Sequence, residues 1–168
     1  MSSSNENHTP FIHFRRITCT TLNEVCALSK TLLPEQRGMV ADNVISIAEA
    51  HYSSCAWLCA VYADETPIGL IMTHTGSDVE DGIDCPGVFL LWRFMIAYPY
   101  QEKGYGKQAL EKLITHLKAM GIPLLFTSFG QGRAAQKGFI TSWASCQQAI
   151  NMTMRSSWCC DWTSIPFT

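Results

Sequence analysis

The chain has 168 residues, a hydrophobic fraction of 47% and a net charge of -2, which suits one domain with a sizeable core. This charge argues against a general nucleic-acid binder, which carries a strong basic excess. No apolar run approaches the roughly 18 residues that span a bilayer. The first ten residues show no signal-peptide pattern, so we expect a cytoplasmic protein with free thiols. No Cys-x-x-Cys occurs, and we expect no metal site.

The first half of the chain predicts a strand, two helices and a hairpin. Residues 11–19 alternate as a strand with one wet face, and Thr20 or Thr21 is expected to cap a short helix. A second helix is predicted within residues 35–52, and a β-hairpin turns at residues 64–67. The helical side chains predicted to face the core are Leu22, Val25, Cys26, Leu28, Met39, Val40, Val44, Ile47 and Ala48.

The second half predicts a buried strand, a glycine turn and an amphipathic helix. The segment from Val88 to Ile96 is nearly all apolar, as expected of a central strand buried on both faces. The helix that follows has an apolar stripe reaching Met120, and Gly121 ends it. Residues 122–130 are predicted to form another strand. The expected fold is an α/β domain with a mixed central sheet flanked by helices.

The glycine turn before this helix is a candidate anion site. A turn at a helix N-terminus directs backbone N–H groups to one spot, at the positive end of the helix dipole. Gly104 and Gly106 allow close approach of an anion, and Lys103 and Lys107 add positive charge. The alternative is an ordinary strand-to-helix connection, since Gly-x-Gly is a common pattern. The segment matches neither a P-loop nor the three-glycine dinucleotide fingerprint.

The segment "FLLWRFMIAYPYQEKGYGKQALEKL" resembles the central motif of the GNAT N-acetyltransferase superfamily. The superfamily signature is Gln/Arg-x-x-Gly-x-Gly/Ala, which Gln101, Gly104 and Gly106 match. The strand Trp-Arg-Phe-Met-Ile before it is similar to the diamine/spermidine acetyltransferase-like branch. The element order from Phe11 to Gly130 also fits that fold, so the resemblance covers about three-quarters of the chain.

The resemblance implies a function and a set of cofactor contacts. The implied reaction transfers acetyl from acetyl-CoA to a primary amine of a small molecule, with a diamine or polyamine as the candidate acceptor. A homodimer is the assembly often found in such proteins. The backbone of Phe94, Met95 and Ile96 is implied to pair with the pantetheine arm. The implied residues of the pyrophosphate turn are Gln101, Glu102, Lys103, Gly104, Tyr105, Gly106 and Lys107.

The acceptor side and the catalytic base are less sharply predicted. Trp92 and Arg93 are expected to alternate on their strand, so that one face meets the acceptor amine, although Trp92 is equally expected to be a packing residue. The histidines at positions 13, 51, 74 and 116 favour structural or solvated positions over a role as base. The segment after the hairpin contains four carboxylates: Asp78, Glu80, Asp81 and Asp84. They are expected either to attract a polyamine or simply to lie in a solvated loop.

The last 36 residues, 133–168, depart from the superfamily pattern. They contain no leucine and no glutamate but three of the five tryptophans. The expected Phe-Tyr-x-x-Leu-Gly-Phe helix, whose tyrosine often protonates the leaving thiolate, is missing. Back-translated and read from one base earlier, the tail can spell Phe-Tyr-His-Lys-Leu-Gly-Phe, then a turn and an alternating strand.

We therefore hypothesise a frameshift after Gly132 in a single domain over residues 1–168. Residues 10–132 are family-like, and an irregular out-of-frame tail replaces the last helix and strands. The expected general-acid tyrosine is then lost, and the activity of this chain is in doubt. Two alternatives to an active N-acetyltransferase stay open. One is a weak or inactive remnant that binds CoA, and the other is a non-enzymatic interaction module.

Overall fold

The computed structural model describes residues 9–75, 89–122 and 125–127. Short 3-10 turns lie at Ser29–Thr31 and Tyr98–Tyr100. The element order agrees with the order predicted from the sequence. The helices and strands, in chain order, are β1 (Ile12–Arg15), α1 (Leu22–Leu28), α2 (Asn43–Tyr52), β2 (Ala56–Ala63), β3 (Thr66–Thr75), β4 (Phe89–Ile96), α3 (Tyr105–Ala119) and β5 (Leu125–Thr127).

The strands form one sheet in the order β1-β2-β3-β4-β5. Neighbouring strands are antiparallel, except that β4 and β5 are parallel, so the predicted mixed sheet is confirmed. One face of the sheet packs against α3 through Ala109, Leu110, Leu113 and Leu117. The other face packs against α1 through Val25 and Leu28. The sheet therefore has helices on both faces, as an α/β fold requires.

A β-bulge in β4 sets the direction of two side chains. Met72 of β3 lies opposite Arg93, whereas the next residue, Thr73, lies opposite Leu91, so Trp92 is the extra residue of β4. The Arg93 guanidinium lies 4.6 Å from the centroid of the Trp92 ring. Both side chains therefore lie on the α1/α2 side of the sheet. The predicted alternation of Trp92 and Arg93 is wrong, because the bulge inserts Trp92 between the pair Met72–Arg93 and the pair Thr73–Leu91.

Helix α2 begins later than the sequence predicts. Its fully buried side chains are polar, while its apolar residues Ile47 and Ala50 pack partly buried against the core. Gly38 has a φ of 90°, which is incompatible with a continuous helix. The Asp42 carboxylate caps the helix by accepting from the Val44 N–H at 2.9 Å. Asn43 and Ser46 are fully buried, whereas Val44 is 52% exposed. The prediction that Val44 faces the core is wrong, whereas Ile47 does pack against it, so the inward side of α2 carries both polar and apolar side chains.

Two residues predicted to lie in the core are exposed at the ends of helices. Leu22 is the first residue of α1, and Met120 follows the last residue of α3. No helix within the described ranges is long and apolar enough to cross a membrane. The predicted irregular tail lies outside the described residues.

Candidate functional site

The turn between β4 and α3 contains two residues with left-handed backbone conformations. Glu102 has a φ of 62° and Gly104 a φ of 79°. A β-carbon on Gly104 would meet open space, so the conformation, rather than crowding, calls for glycine there. At Glu102 the same conformation costs roughly 1–2 kcal/mol, because its β-carbon approaches the backbone. The turn is therefore a strained segment that its surroundings must hold in place.

The N-terminus of α3 faces this turn with backbone donors that have no partner within the helix. The helix has 15 residues, and its N-cap, Gly104, has no side chain that could accept a hydrogen bond. The N–H groups of Tyr105, Gly106 and Lys107 have no acceptor within the helix, because they belong to its first turn. The side chain of Lys107 is exposed and lies 3.8 Å from Glu111, four residues further along the helix. This arrangement is able to bind a phosphate group.

The end of β4 directs alternate backbone groups to opposite edges. The Ala97 N–H donates to the Ile68 carbonyl at 2.8 Å and so faces β3. Because directions alternate along a strand, the backbone groups of Met95 also face β3, whereas those of Phe94 and Ile96 face the opposite edge. The described pairing of β5 covers the first three residues of β4. Of the three residues expected to contact pantetheine, two therefore face the β5 side.

The side chain of Gln101 connects the turn with two other segments. Its Nε2 donates to the Ile96 carbonyl at 2.8 Å, and its Oε1 accepts from the Nε2 of Gln36 at 2.9 Å. No local pattern in the sequence reveals the contact with Gln36, which lies 65 residues before Gln101. The sequence predicts a helix over this stretch, whereas the structure places Gln36 in a turn before α2.

The α1/α2 face of the sheet carries an aromatic and charged cluster beside β4. The Trp92 and His74 rings meet edge to face with centroids 5.1 Å apart. Arg93 forms an ion pair with Glu49 of α2 at 3.3 Å. His74 is buried, and its Nε2 lies 3.1 Å from the Ser53 hydroxyl. The four predicted acidic acceptor residues lie outside the described residues: Asp78, Glu80, Asp81 and Asp84.

The other reactive side chains of the described residues have structural surroundings. His13 lies on β1, three strands from β4 in the described sheet, and its Nε2 accepts from the Arg15 Nε at 2.8 Å. Burial, assisted by Arg15, lowers the pKa of His13 below its usual value. Burial raises the pKa of the Cys59 thiol to about 12, which makes it a poor nucleophile. The described part of the chain contains no cluster of three or more potential metal ligands.

Several solved acetyltransferases share this fold. Aminoglycoside N-acetyltransferase AAC(6')-Iy in complex with CoA is 16% identical with a TM-score of 0.54, covering 94% of this chain and 99% of that one. An acetyltransferase from Thermus thermophilus is 19% identical with a TM-score of 0.58, covering 80% and 87%. The ribosomal-protein-S18-alanine N-acetyltransferase from Escherichia coli is 16% identical with a TM-score of 0.54, covering 81% and 76%. At such low identity the likeness establishes the fold alone.

Sequence comparison extends this likeness to a family. No curated protein matches the chain significantly. The sequence profile of the acetyltransferase (GNAT) family matches residues 22–141. The match includes β4, the turn and α3, and it ends beyond Gly132. Since this range is more than half of the chain, the protein belongs to the acetyltransferase (GNAT) family.

Proposed function

We propose that the protein is an acetyl-CoA-dependent N-acetyltransferase that acts on a primary amine of a small molecule. One observation carries the proposal. The left-handed turn at Glu102 and Gly104 leads directly into an α3 N-terminus whose first N–H groups have no partner in the helix. Membership in the GNAT family supports acetyl transfer, and the phosphate-binding geometry supports CoA as the acetyl carrier.

The proposed contacts divide the cofactor between the turn and the end of β4. The N–H groups of Tyr105, Gly106 and Lys107 hold the pyrophosphate, and Lys103 adds positive charge beside them. Phe94 and Ile96 offer backbone groups to the pantetheine arm. The Met95 backbone faces β3 and supports the strand. With these contacts the pantetheine arm would follow the end of β4 away from the turn.

The chemistry forms an N–C bond and breaks the C–S bond of the thioester. The amine must be neutral to attack, so its ammonium form first loses a proton, and the leaving thiolate gains one. Backbone donors at the edge of β4 can stabilise the oxygen charge that develops on the thioester carbonyl. No catalytic base or acid is assigned, since the expected tyrosine segment is missing from the sequence beyond Gly132.

A diamine or polyamine is the proposed acceptor class. The carboxylates at positions 78, 80, 81 and 84 would attract such a cation. Trp92 is a weaker candidate for binding it, because the guanidinium of Arg93 already covers its ring at 4.6 Å. Arg93 also adds positive charge at this place, which disfavours an ammonium there. The acidic segment therefore carries this part of the proposal.

The main alternative is a catalytically weak or inactive protein that still binds CoA. It follows from the proposed frameshift after Gly132, which keeps the turn and removes the tyrosine segment. An interaction module without cofactor binding is the third candidate. The single-domain organisation over residues 1–168, a homodimer and a cytoplasmic location are parts of the same proposal.

Three measurements separate these candidates. Acetyl-CoA should raise the thermal midpoint of the protein, because a ligand that binds only the native state stabilises it by mass action. The absence of a shift favours the interaction module. Release of the CoA thiol with spermidine supports the enzyme, and binding without release supports the inactive alternative. An aminoglycoside and putrescine belong in the same acceptor panel.

The frameshift is tested at the gene. Sequencing across the codon for Gly132 in independent isolates decides whether the tail is genuine, and an intact frame in all of them contradicts the hypothesis. A restored reading frame provides the matched functional control. If turnover appears only with the restored ending, the present chain is the inactive form.

A further inference from the structure

Two glutamine side chains join the turn before α3 to the connection between α1 and α2. Gln36 Nε2 donates to Gln101 Oε1 at 2.9 Å. In return, Gln101 Nε2 lies 3.3 Å from Gln36 Oε1. Both residues are half-buried. The amide pair therefore connects the proposed cofactor turn directly with the segment between α1 and α2.

Each amide is also fixed from its own side. Gln36 Oε1 accepts from the Leu33 N–H at 3.2 Å, and the Gln36 N–H donates to the Leu33 carbonyl at 2.9 Å. Gln101 Nε2 donates to the carbonyl of Ile96, the last residue of β4, at 2.8 Å. The hydrogen bonds thus run from the α1–α2 connection through both amides to the end of β4. Neither side chain can rotate freely without breaking several of them.

A second contact joins the same two segments. The Tyr98 N–H donates to the Thr31 hydroxyl at 3.1 Å, and this hydroxyl donates to the Leu28 carbonyl at 2.7 Å. Thr31 therefore holds Tyr98, near the start of the segment between β4 and α3. Gln36 holds Gln101, further along the same segment. The segment between α1 and α2 thus fixes the segment between β4 and α3 at two points.

The turn needs such support because its backbone is strained. Glu102, directly after Gln101, has a φ of 62°, and Gly104 has a φ of 79°. A non-glycine residue keeps a left-handed conformation only when neighbouring contacts over-determine it. Gln101 supplies these contacts on the N-terminal side of the turn, and Gln36 holds the Gln101 side chain in place.

We propose that Gln36 is a positioning residue for the CoA-binding turn. By holding Gln101, it keeps the backbone from Glu102 to Gly104 in the shape that presents the α3 N–H groups to a pyrophosphate. Gln36 acts through Gln101 rather than by contact with the cofactor. The inference rests on the proposed function. Loss of about one net hydrogen bond from the turn should weaken CoA binding about 3- to 10-fold.

The test compares Gln36→Ala with Glu35→Ala, a neighbouring exposed residue that makes no hydrogen bond with a described residue. Isothermal titration with CoA measures affinity well below the unfolding midpoint. Amide hydrogen exchange without ligand measures the opening of residues 97–107. We expect Gln36→Ala to raise the CoA Kd about 3- to 10-fold and to speed exchange in this range. Glu35→Ala should behave as the wild type.

A conservative rescue separates positioning from a merely structural role. Gln36→Glu loses the donor to Gln101 Oε1 and should weaken binding. Adding Gln101→Arg should recover the affinity, since arginine can donate both to the new carboxylate and to the Ile96 carbonyl. A structural role alone would lower the free energy of unfolding without moving the Kd of the folded protein.

Two outcomes overturn different claims. If Gln36→Ala keeps both the wild-type Kd and wild-type exchange, Gln36 does not position the turn. If the wild type binds no CoA, the proposed function fails. In that case the exchange measurement still decides whether Gln36 holds the turn, because it needs no ligand.

Discussion

The carbonyl oxygen of Met95 lies against Gly69, at a place where a β-carbon has no room. Gly69 is also the β3 residue opposite Ile96, and the Ile96 Cα lies 3.3 Å from the same β-carbon position. The close approach of the two strands therefore depends on the absence of a side chain. It fixes the end of β4 just before the chain enters the proposed cofactor turn.

Replacing Gly69 with alanine should destabilise the protein through this contact. The nearest obstructing atom, the Met95 carbonyl oxygen, belongs to the backbone of β4, so it cannot move aside as a flexible side chain would. We expect Gly69→Ala to lower the free energy of unfolding by about 3 kcal/mol, as overpacked cores do. Gly38→Ala is the control, since its β-carbon meets open space and only the left-handed conformation is strained, at a cost of about 1 kcal/mol. Urea denaturation measures the free energy of unfolding of both variants. Equal losses of this free energy would contradict the steric explanation.

The buried face of α2 provides a second prediction. Asn43 is fully buried, and its Nδ2 donates to the Val25 carbonyl at 2.8 Å. Asn43→Ala leaves that carbonyl without its side-chain donor and should cost about 1–3 kcal/mol. Val44→Ala, which truncates an exposed neighbour, should change stability by less than about 0.5 kcal/mol. A larger loss for Val44→Ala would contradict the exposed position of Val44.

His13 predicts a pH dependence of stability. Burial, and next the charge of Arg15, lowers the pKa of His13 below 6.5. As the pH falls through 6.5, the unfolded chain takes up a proton that native His13 binds less readily. The free energy of unfolding therefore decreases until the pH passes below the folded-state pKa. The substitution His13→Gln removes the contribution of His13 to this pH dependence. Between about pH 7.5 and 5.5 the wild type should lose more stability than His13→Gln, and parallel urea-derived curves would contradict this assignment.

The sequence predicts those parts of the fold whose signals are local. The apolar run of β4, the stripe of α3 and the glycines between them each lie within one short segment, and the structure places them as expected. The start of α2 was mispredicted, because the left-handed Gly38 and the Asp42 cap outweigh the apolar pattern around them. Burial of Asn43 and Ser46 also gives α2 a partly polar inward side, which an apolar pattern does not predict.

Features that depend on pairing between distant segments could not be predicted. The bulge at Trp92 exists only relative to β3, since it is a mismatch between two strands. The same holds for Gln36, whose partner Gln101 lies 65 residues away. The glycine turn was visible in the sequence, but the contacts that hold it were not.

The most direct test of the central claim compares CoA binding by Gly104→Ala and Gly121→Ala. Both glycines have left-handed conformations with open space at the β-carbon position, and they flank opposite ends of α3. Each variant should therefore lose about 1 kcal/mol of stability. In isothermal titration, the wild type and Gly121→Ala should bind CoA alike, whereas Gly104→Ala should bind about 10-fold more weakly. Absence of binding by the wild type, or equal affinities of the two variants, would contradict the account.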